Sequence, residues 1–324
     1  MQLDERILII RDKVLQFYKI YEKVWIGMAK FLSMLLVMVA ISRAIGYAPT
    51  LTRSYIIAAL ALVSTMLPAQ YIMLEILGVI VIHLLHFNWI IGGVALVIFI
   101  SLYILFIRLY PKESLLIILT MLAMKVELLC MLPIVAGLFG GLGAILAILI
   151  GIVGHFSFTS LEMMLQSLLK TEDLVVWIQE NLNLYITQIF YNKELLAMLS
   201  ICLIVFCVVY IIRKQVIDYA PYLAVVIGGV MNILGFILAE LFLDISMNIF
   251  LLVFMTIISV VIALGIQFVS RPADYSRSES IRFEDEDNYY MVKVIPKMQV
   301  RKSVTKVQKV YIPPNRTEEI NMEE

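Results

Sequence analysis

The sequence predicts an all-α, polytopic integral membrane protein with about ten membrane segments, some of them short or re-entrant, followed by a mostly disordered C-terminal tail. Apolar residues fill 62% of its 324 positions and charged residues only 15%, whereas soluble domains are about half apolar and about a quarter charged. The mean hydropathy is +0.96. A soluble fold of this length has too little interior for so much apolar surface, so the solvent implied is lipid. The third observation is a sharp change at Arg271, where apolar runs give way to a charged, proline-punctuated stretch.

Residues 1–24 repeat apolar positions at Leu3, Ile7, Ile10, Val14, Phe17, Tyr21 and Val24, with charged residues around that seam. This is the pattern of an amphipathic helix lying on the membrane surface, lysines toward the headgroups. The same spacing also suits a helical partner.

A spanning helix needs ~20 apolar residues to cross ~30 Å of hydrocarbon. Residues 25–270 form the membrane domain, with clear spans at Trp25–Gly46, Trp89–Tyr110, Glu194–Ile212, Tyr222–Leu243 and Met247–Val269. Between them lie shorter pieces. Ser54–Leu67 and Gln70–Phe87 meet at Pro68, which disfavours a continuous helix. Glu113–Met124, Val126–Phe139 and Gly141–Phe156 are separated by Lys125 and Glu127 and by glycines. Residues 157–192 read as two extracytoplasmic helices on the outer leaflet, anchored by Trp177 and Tyr185, or as a lid over an outward opening.

Lysine and arginine near span ends set orientation. The basic N-terminal segment, Arg108 with Lys112, Arg213 with Lys214, and the tail from Arg271 are all expected in the cytoplasm, most simply beneath a plasma membrane. Arg43 and Arg53 fall on the outer side and do not fit. The tail, residues 271–324, holds an alternating stretch whose Tyr289, Tyr290, Val292 and Val294 are candidates for docking on a partner's sheet edge. Acidic Glu284–Asp287 and basic Arg301–Lys309 offer an internal pairing instead.

Lys125 and Glu127 pose the sharpest local problem. On a continuous helix, residues two apart point to opposite sides and cannot pair, and a lone charge in hydrocarbon costs several kcal/mol. The helix is therefore expected to stop there. It does so either at a wet cytoplasmic turn or at a mid-membrane break lining an aqueous cavity, as in discontinuous transporter helices. Six of fifteen glycines crowd into Gly137–Gly154, and Gly137-x-x-x-Gly141 predicts close helix approach. Ser54–Tyr110 and Glu113–Phe156 resemble a pair of inverted units, with Glu75 in one and Glu127 in the other.

The remaining polar residues have mostly structural readings. Glu75 reaches water at a boundary or, if deeper, exchanges a proton. His83 and His86 lack a nearby carboxylate or cysteine and read as interfacial, not metal-binding. Glu240 and Asp244 read as solvated helix-end acids, Asn232 as an interhelical hydrogen bonder, and Cys130, Cys202 and Cys207 as small buried hydrophobes. No phosphate loop, HExxH or Ser/His/Asp arrangement stands out, so no catalytic residue, metal or cofactor is expected. Zero formal net charge argues against nucleic acid as a partner.

These features imply a multi-pass protein of the cell membrane. The leading expectation is a solute transporter or permease component using Lys125, Glu127 and Glu75. The alternative is an assembly scaffold that recruits an unidentified protein through its tail. An enzyme acting on lipid-linked substrates would require Glu240, Asp244 and His155 in one pocket.

Overall fold

A computed structural model describes residues 11, 13–168, 187, 191–215, 217–245, 248–270 and 279–294. Helical residues 13–20 lead into α1 (Glu22–Ile45), followed by α2 (Ser54–Met66), α3 (Ala69–Phe87) and α4 (Trp89–Leu102) with a π-helical extension at Tyr103–Ile107. Next come α5 (Leu115–Lys125), α6 (Met131–Phe139), α7 (Leu142–Leu168), α8 (Lys193–Ile212), α9 (Ala220–Leu243) and α10 (Ile249–Ser270). Strands β1 (Glu279–Glu284) and β2 (Tyr289–Val294) close the described chain.

Helix α10 shows why the solvent is lipid. Its buried residues are Thr256, Ser259, Ala263 and Gln267, while Phe250, Phe254, Ile257 and Val261 are exposed. That inversion is unfavourable in water and natural in a bilayer, where small and polar residues hold helices together. Among the described residues, seven helices are long and apolar enough to cross a membrane: α1, α3, α4 with its extension, α7, α8, α9 and α10. The expected count of ten spans is not confirmed: helices stand at the other three expected segments, but α2, α5 and α6 have only 13, 11 and 9 residues.

The first stop is at Leu67–Pro68. The Lys30 Nζ of α1 donates to the Leu67 carbonyl at 3.0 Å, supplying a partner that α2's last turn lacks. On the return arm, the Glu75 carboxyl lies 2.7 Å from the Ser64 hydroxyl, which also lies 2.9 Å from the Leu60 carbonyl.

The second stop is at the end of α5. A Cβ on Gly151 of α7 would meet Thr120 Cβ at 2.6 Å and the Ile117 carbonyl at 2.7 Å, and a Cβ on Gly143 would press on the Tyr110 ring. These contacts run α5 and α7 side by side in the same direction. Helix α6 then returns: Arg213, just after α8, donates to the Leu138 and Gly140 carbonyls at its far end. At ~1.5 Å per residue, α5 and α6 measure about 17 and 14 Å. They form a half-length hairpin entering from the end that holds Tyr110, Gly140 and Arg213.

Two apolar cores flank this hairpin. One joins α1–α3, with Met34, Met38, Ile45 and Leu84 at its centre. The other joins α6 and α8–α10 through Ile134, Leu138, Val205 and Val209. The glycine expectation holds in part. Gly137 packs on Val209 and the Phe206 carbonyl, but Gly141 has nothing within 4 Å. The pairing of two inverted units does not carry through either, because α3 has 19 residues where α6 has 9.

Residues 157–168 are not the start of a surface helix. They continue α7 for three turns past Phe156, since nothing between Gly141 and Leu168 breaks the helix. The remainder of the expected outer segment, 169–186, lies outside the described residues, as do residues 1–10 and the basic tail segment 301–309. Residue 11 is described, and its guanidinium donates to the Val269 carbonyl at 3.3 Å, placing the N-terminal segment beside the end of α10.

The tail contains order that the sequence reading did not assign. Strand β2 pairs antiparallel with β1 of the same chain, from Glu279↔Val294 to Glu284↔Tyr289. The turn is built by Asp285, whose carboxylate accepts from the Asp287 and Asn288 amides at 3.0 and 2.8 Å and from the Tyr290 hydroxyl at 3.0 Å. Those donors hold its pKa below the ordinary aspartate value.

The α5–α7 contact leaves no room for a methyl group. Gly151→Ala is expected to lower stability by ~1–3 kcal/mol, read by thermal unfolding in detergent. Gly93→Ala, where nothing lies within 4 Å, is the control and should be neutral or slightly stabilising.

Candidate functional site

At the tip of the hairpin, the Leu128 amide bonds the Ala123 carbonyl at 2.9 Å and the Val126 amide bonds the same oxygen at 3.2 Å. The first is the six-to-one bond of a Schellman cap, in which the residue after the cap takes left-handed geometry and is usually glycine. Here it is Glu127, at φ 60°. Helix α6 begins four residues later, with Pro133 in its first turn, where a missing amide hydrogen is harmless. The two charges now have separate roles. Lys125 stands at the C-terminal, partly negative end of α5, and Glu127 precedes the N-terminal, partly positive end of α6.

The tip sits at mid-depth. Cys130, directly before α6, accepts a hydrogen bond from Asn232 Nδ2 at 2.9 Å, and Asn232 is the thirteenth of 24 residues in α9. The same amide donates to Thr256 Oγ1 at 3.1 Å, and Thr256 donates to the Leu252 carbonyl. Asn232 Oδ1 is buried with no donor among the described residues. Measured along α9, the turn at Lys125 and Glu127 therefore lies between two short helices near the middle of the bundle.

Above the tip lies a cavity of about 430 Å³. Its polar lining is Glu127, Cys130, His155, Thr159, Glu194 and Asn248; Phe156, Met198, Phe236 and Met255 supply much of the apolar remainder. His155 is held by the Met121 backbone, and Thr159 donates to the His155 carbonyl at 3.0 Å. Glu194 and Asn248 belong to the first turn of α8 and the residue before α10, so the cavity runs from the tip toward the end opposite Arg213. A second hollow, between α7 and α8, is lined by Leu149, Ile150, Val153, Leu196, Leu199, Ser200 and Leu203. It is almost wholly apolar and open, a groove on a lipid-facing surface.

Of the three pathway candidates, only Glu127 lines the cavity. Lys125 is exposed at the end of α5. Glu75 is held apart on α3, against Ser64 and the first core. The Ser64 hydroxyl has one hydrogen for two acceptors, so both of its contacts are hydrogen bonds only when Glu75 carries a proton. Glu75 Oε1 is buried without a partner among the described residues.

Sequence reading missed Glu194, Thr159 and Asn248, and it named His155 only as a pocket partner of Glu240 and Asp244. Cys130 was expected to be a small hydrophobe, yet it is part of a buried polar cluster. Asn232 bonds across helices as expected. Neither Glu240 nor Asp244 joins His155 in the cavity. His83 Nδ1 accepts from the Ala48 amide at 3.0 Å, and no group of three metal-ligand side chains occurs among the described residues.

The tail candidates occupy β2. Tyr290 and Val292 share a face with Phe283, Ile281 and Val294, and Phe283 and Tyr290 stack at 5.1 Å. All five are exposed, and Tyr289 lies on the opposite face. No family model, curated protein or solved structure matches the chain.

A glutamate in a glycine's conformation costs ~1 kcal/mol. Glu127→Gly should therefore raise unfolding stability by about 1 kcal/mol, while Glu127→Ala, which keeps the strain, should not. Destabilisation by Glu127→Gly in the same thermal measurement would mean that the carboxylate itself holds the tip.

Proposed function

We propose that this chain is a solute transporter or permease component of the plasma membrane. Its ten membrane segments comprise seven full crossings, the short crossing α2, and the re-entrant hairpin α5–α6, with both termini in the cytoplasm. The cavity that ends on Glu127 carries this reading. An ionisable residue at the junction of two half-helices, in a pocket reaching the membrane midplane, is the arrangement discontinuous transporter helices use to meet a solute. Backbone that is not helical is tolerated at that depth only when buried in protein or lining a water-filled space.

Orientation follows from charge. The contacts of Arg11 with Val269 and of Arg213 with Gly140 gather basic turns at one end, and that end faces the cytoplasm. The cavity then opens outward. Residue 127 is the point to probe. A cysteine replacing Glu127, with Cys130, Cys202 and Cys207 changed to serine, should react with a membrane-impermeant thiol reagent added outside intact cells. Reaction only from the inside, or no reaction in permeabilised cells, would overturn the pathway.

The β-hairpin favours a second role, recruitment of a protein partner to the tail. An isolated two-stranded hairpin is marginal in water, and this one shows an uncovered apolar face of Ile281, Phe283, Tyr290, Val292 and Val294. On native gels of mildly solubilised membranes, the protein should migrate within a larger complex that is lost when residues 279–324 are deleted. Unchanged migration after deletion would remove the scaffold reading.

A further inference from the structure

The charge balance of the cavity is one-sided. Its wall includes the carboxylates of Glu127 and Glu194, the imidazole of His155 and, among the described residues, no lysine or arginine. Two cations lie close in sequence but outside the wall: Lys125 ends α5, and the Lys193 ammonium donates to the Leu243 carbonyl at 3.2 Å. A solute entering here meets two carboxylates and one imidazole.

The rest of the wall argues against a bare inorganic cation. Such ions replace their hydration shells with about six or more oxygens, whereas most of this wall is Phe, Met and Leu. Phe156 and Phe236 add aromatic surface to that wall. The volume of about 430 Å³ falls within the range of small-molecule sites.

From this combination of paired acids and an apolar, partly aromatic wall, we infer that the cavity binds a small organic ammonium with an apolar body. The inference rests on the transport reading and names its substrate class. Glu127 and Glu194 contact the charge, and the aromatic and methionine side chains contact the body.

The test uses the full-length protein in nanodiscs. Thr159→Cys, in a background where Cys130, Cys202 and Cys207 are serine, reports access to the cavity wall by its rate of reaction with a water-soluble thiol reagent. Benzylammonium, benzyl alcohol and benzenesulfonate are the probes, alike in ring and different in charge. Benzylammonium should slow the reaction at concentrations at least tenfold below those needed by the other two. Glu127→Gln or Glu194→Gln should each raise its half-protecting concentration about tenfold. Equal protection by all three probes, preference for benzenesulfonate, or no protection by benzylammonium overturns the ammonium assignment while leaving an accessible pathway intact. Failure of the reagent to reach Thr159→Cys overturns both the assignment and the transport reading, and circular dichroism of each variant confirms that it is folded.

Discussion

A helix that stops inside a bilayer leaves carbonyl groups with no water to accept, and this fold is organised around satisfying those groups. Each unsatisfied backbone group in hydrocarbon costs several kcal/mol. At the end of α2, Lys30 reaches Leu67. At the end of α5, the Val126 and Leu128 amides fold back on Ala123, with Lys125 beside them. At the end of α6, where the hairpin returns to the end of the bundle it entered from, Arg213 bridges Leu138 and Gly140 in the same way. Each of the three stops has a cation at a helix C-terminus, the end that favours positive charge. The few lysines and arginines inside the apolar sequence thus become intelligible as partners for broken helices.

Once the stops are satisfied, the short hairpin can be held at half depth. Its arms are fixed by close packing. Gly151 brings α7 onto Thr120 of α5, and Gly137 brings α6 onto Val209 of α8. The tip is then tied to the bundle by the Cys130–Asn232–Thr256 cluster. That cluster sits where α10 turns its polar stripe inward, so the inside-out character of α10 and the depth of the break have one cause. Both place polar atoms where lipid cannot reach them. The cavity above the tip is the space left because α5 and α6 are shorter than their neighbours.

Much of this was legible in the sequence because lipid imposes strict rules. Composition gave the class, and Pro68 and the Lys125/Glu127 pair marked both breaks to within a few residues, since neither fits a continuous apolar rod. The site was legible only in part. Glu127 was visible as a misfit, but Glu194, Thr159 and Asn248 resemble any helix-end polar residue until tertiary packing brings α7, α8 and α10 around the tip. Glu75 looked equivalent to Glu127 because sequence shows charge and not location. Its hydrogen bond to Ser64 depends on how α2 folds back on α3. The β-hairpin was half seen: alternation marked Tyr289–Val294, but the partner strand lay in a segment dominated by charge, and Asp285's role as turn builder is a matter of backbone geometry.

The same reasoning separates architecture from function at the break. A Schellman cap needs left-handed geometry at the position Glu127 occupies, and glycine meets that need without strain. A backbone requirement alone therefore gives no reason for a glutamate. What the carboxylate adds beyond glycine is a negative charge at the floor of a cavity that reaches the middle of the bundle. On the transport reading proposed above, a charge held there against backbone preference, by a fold that could stop the helix without it, is the group an entering solute would meet.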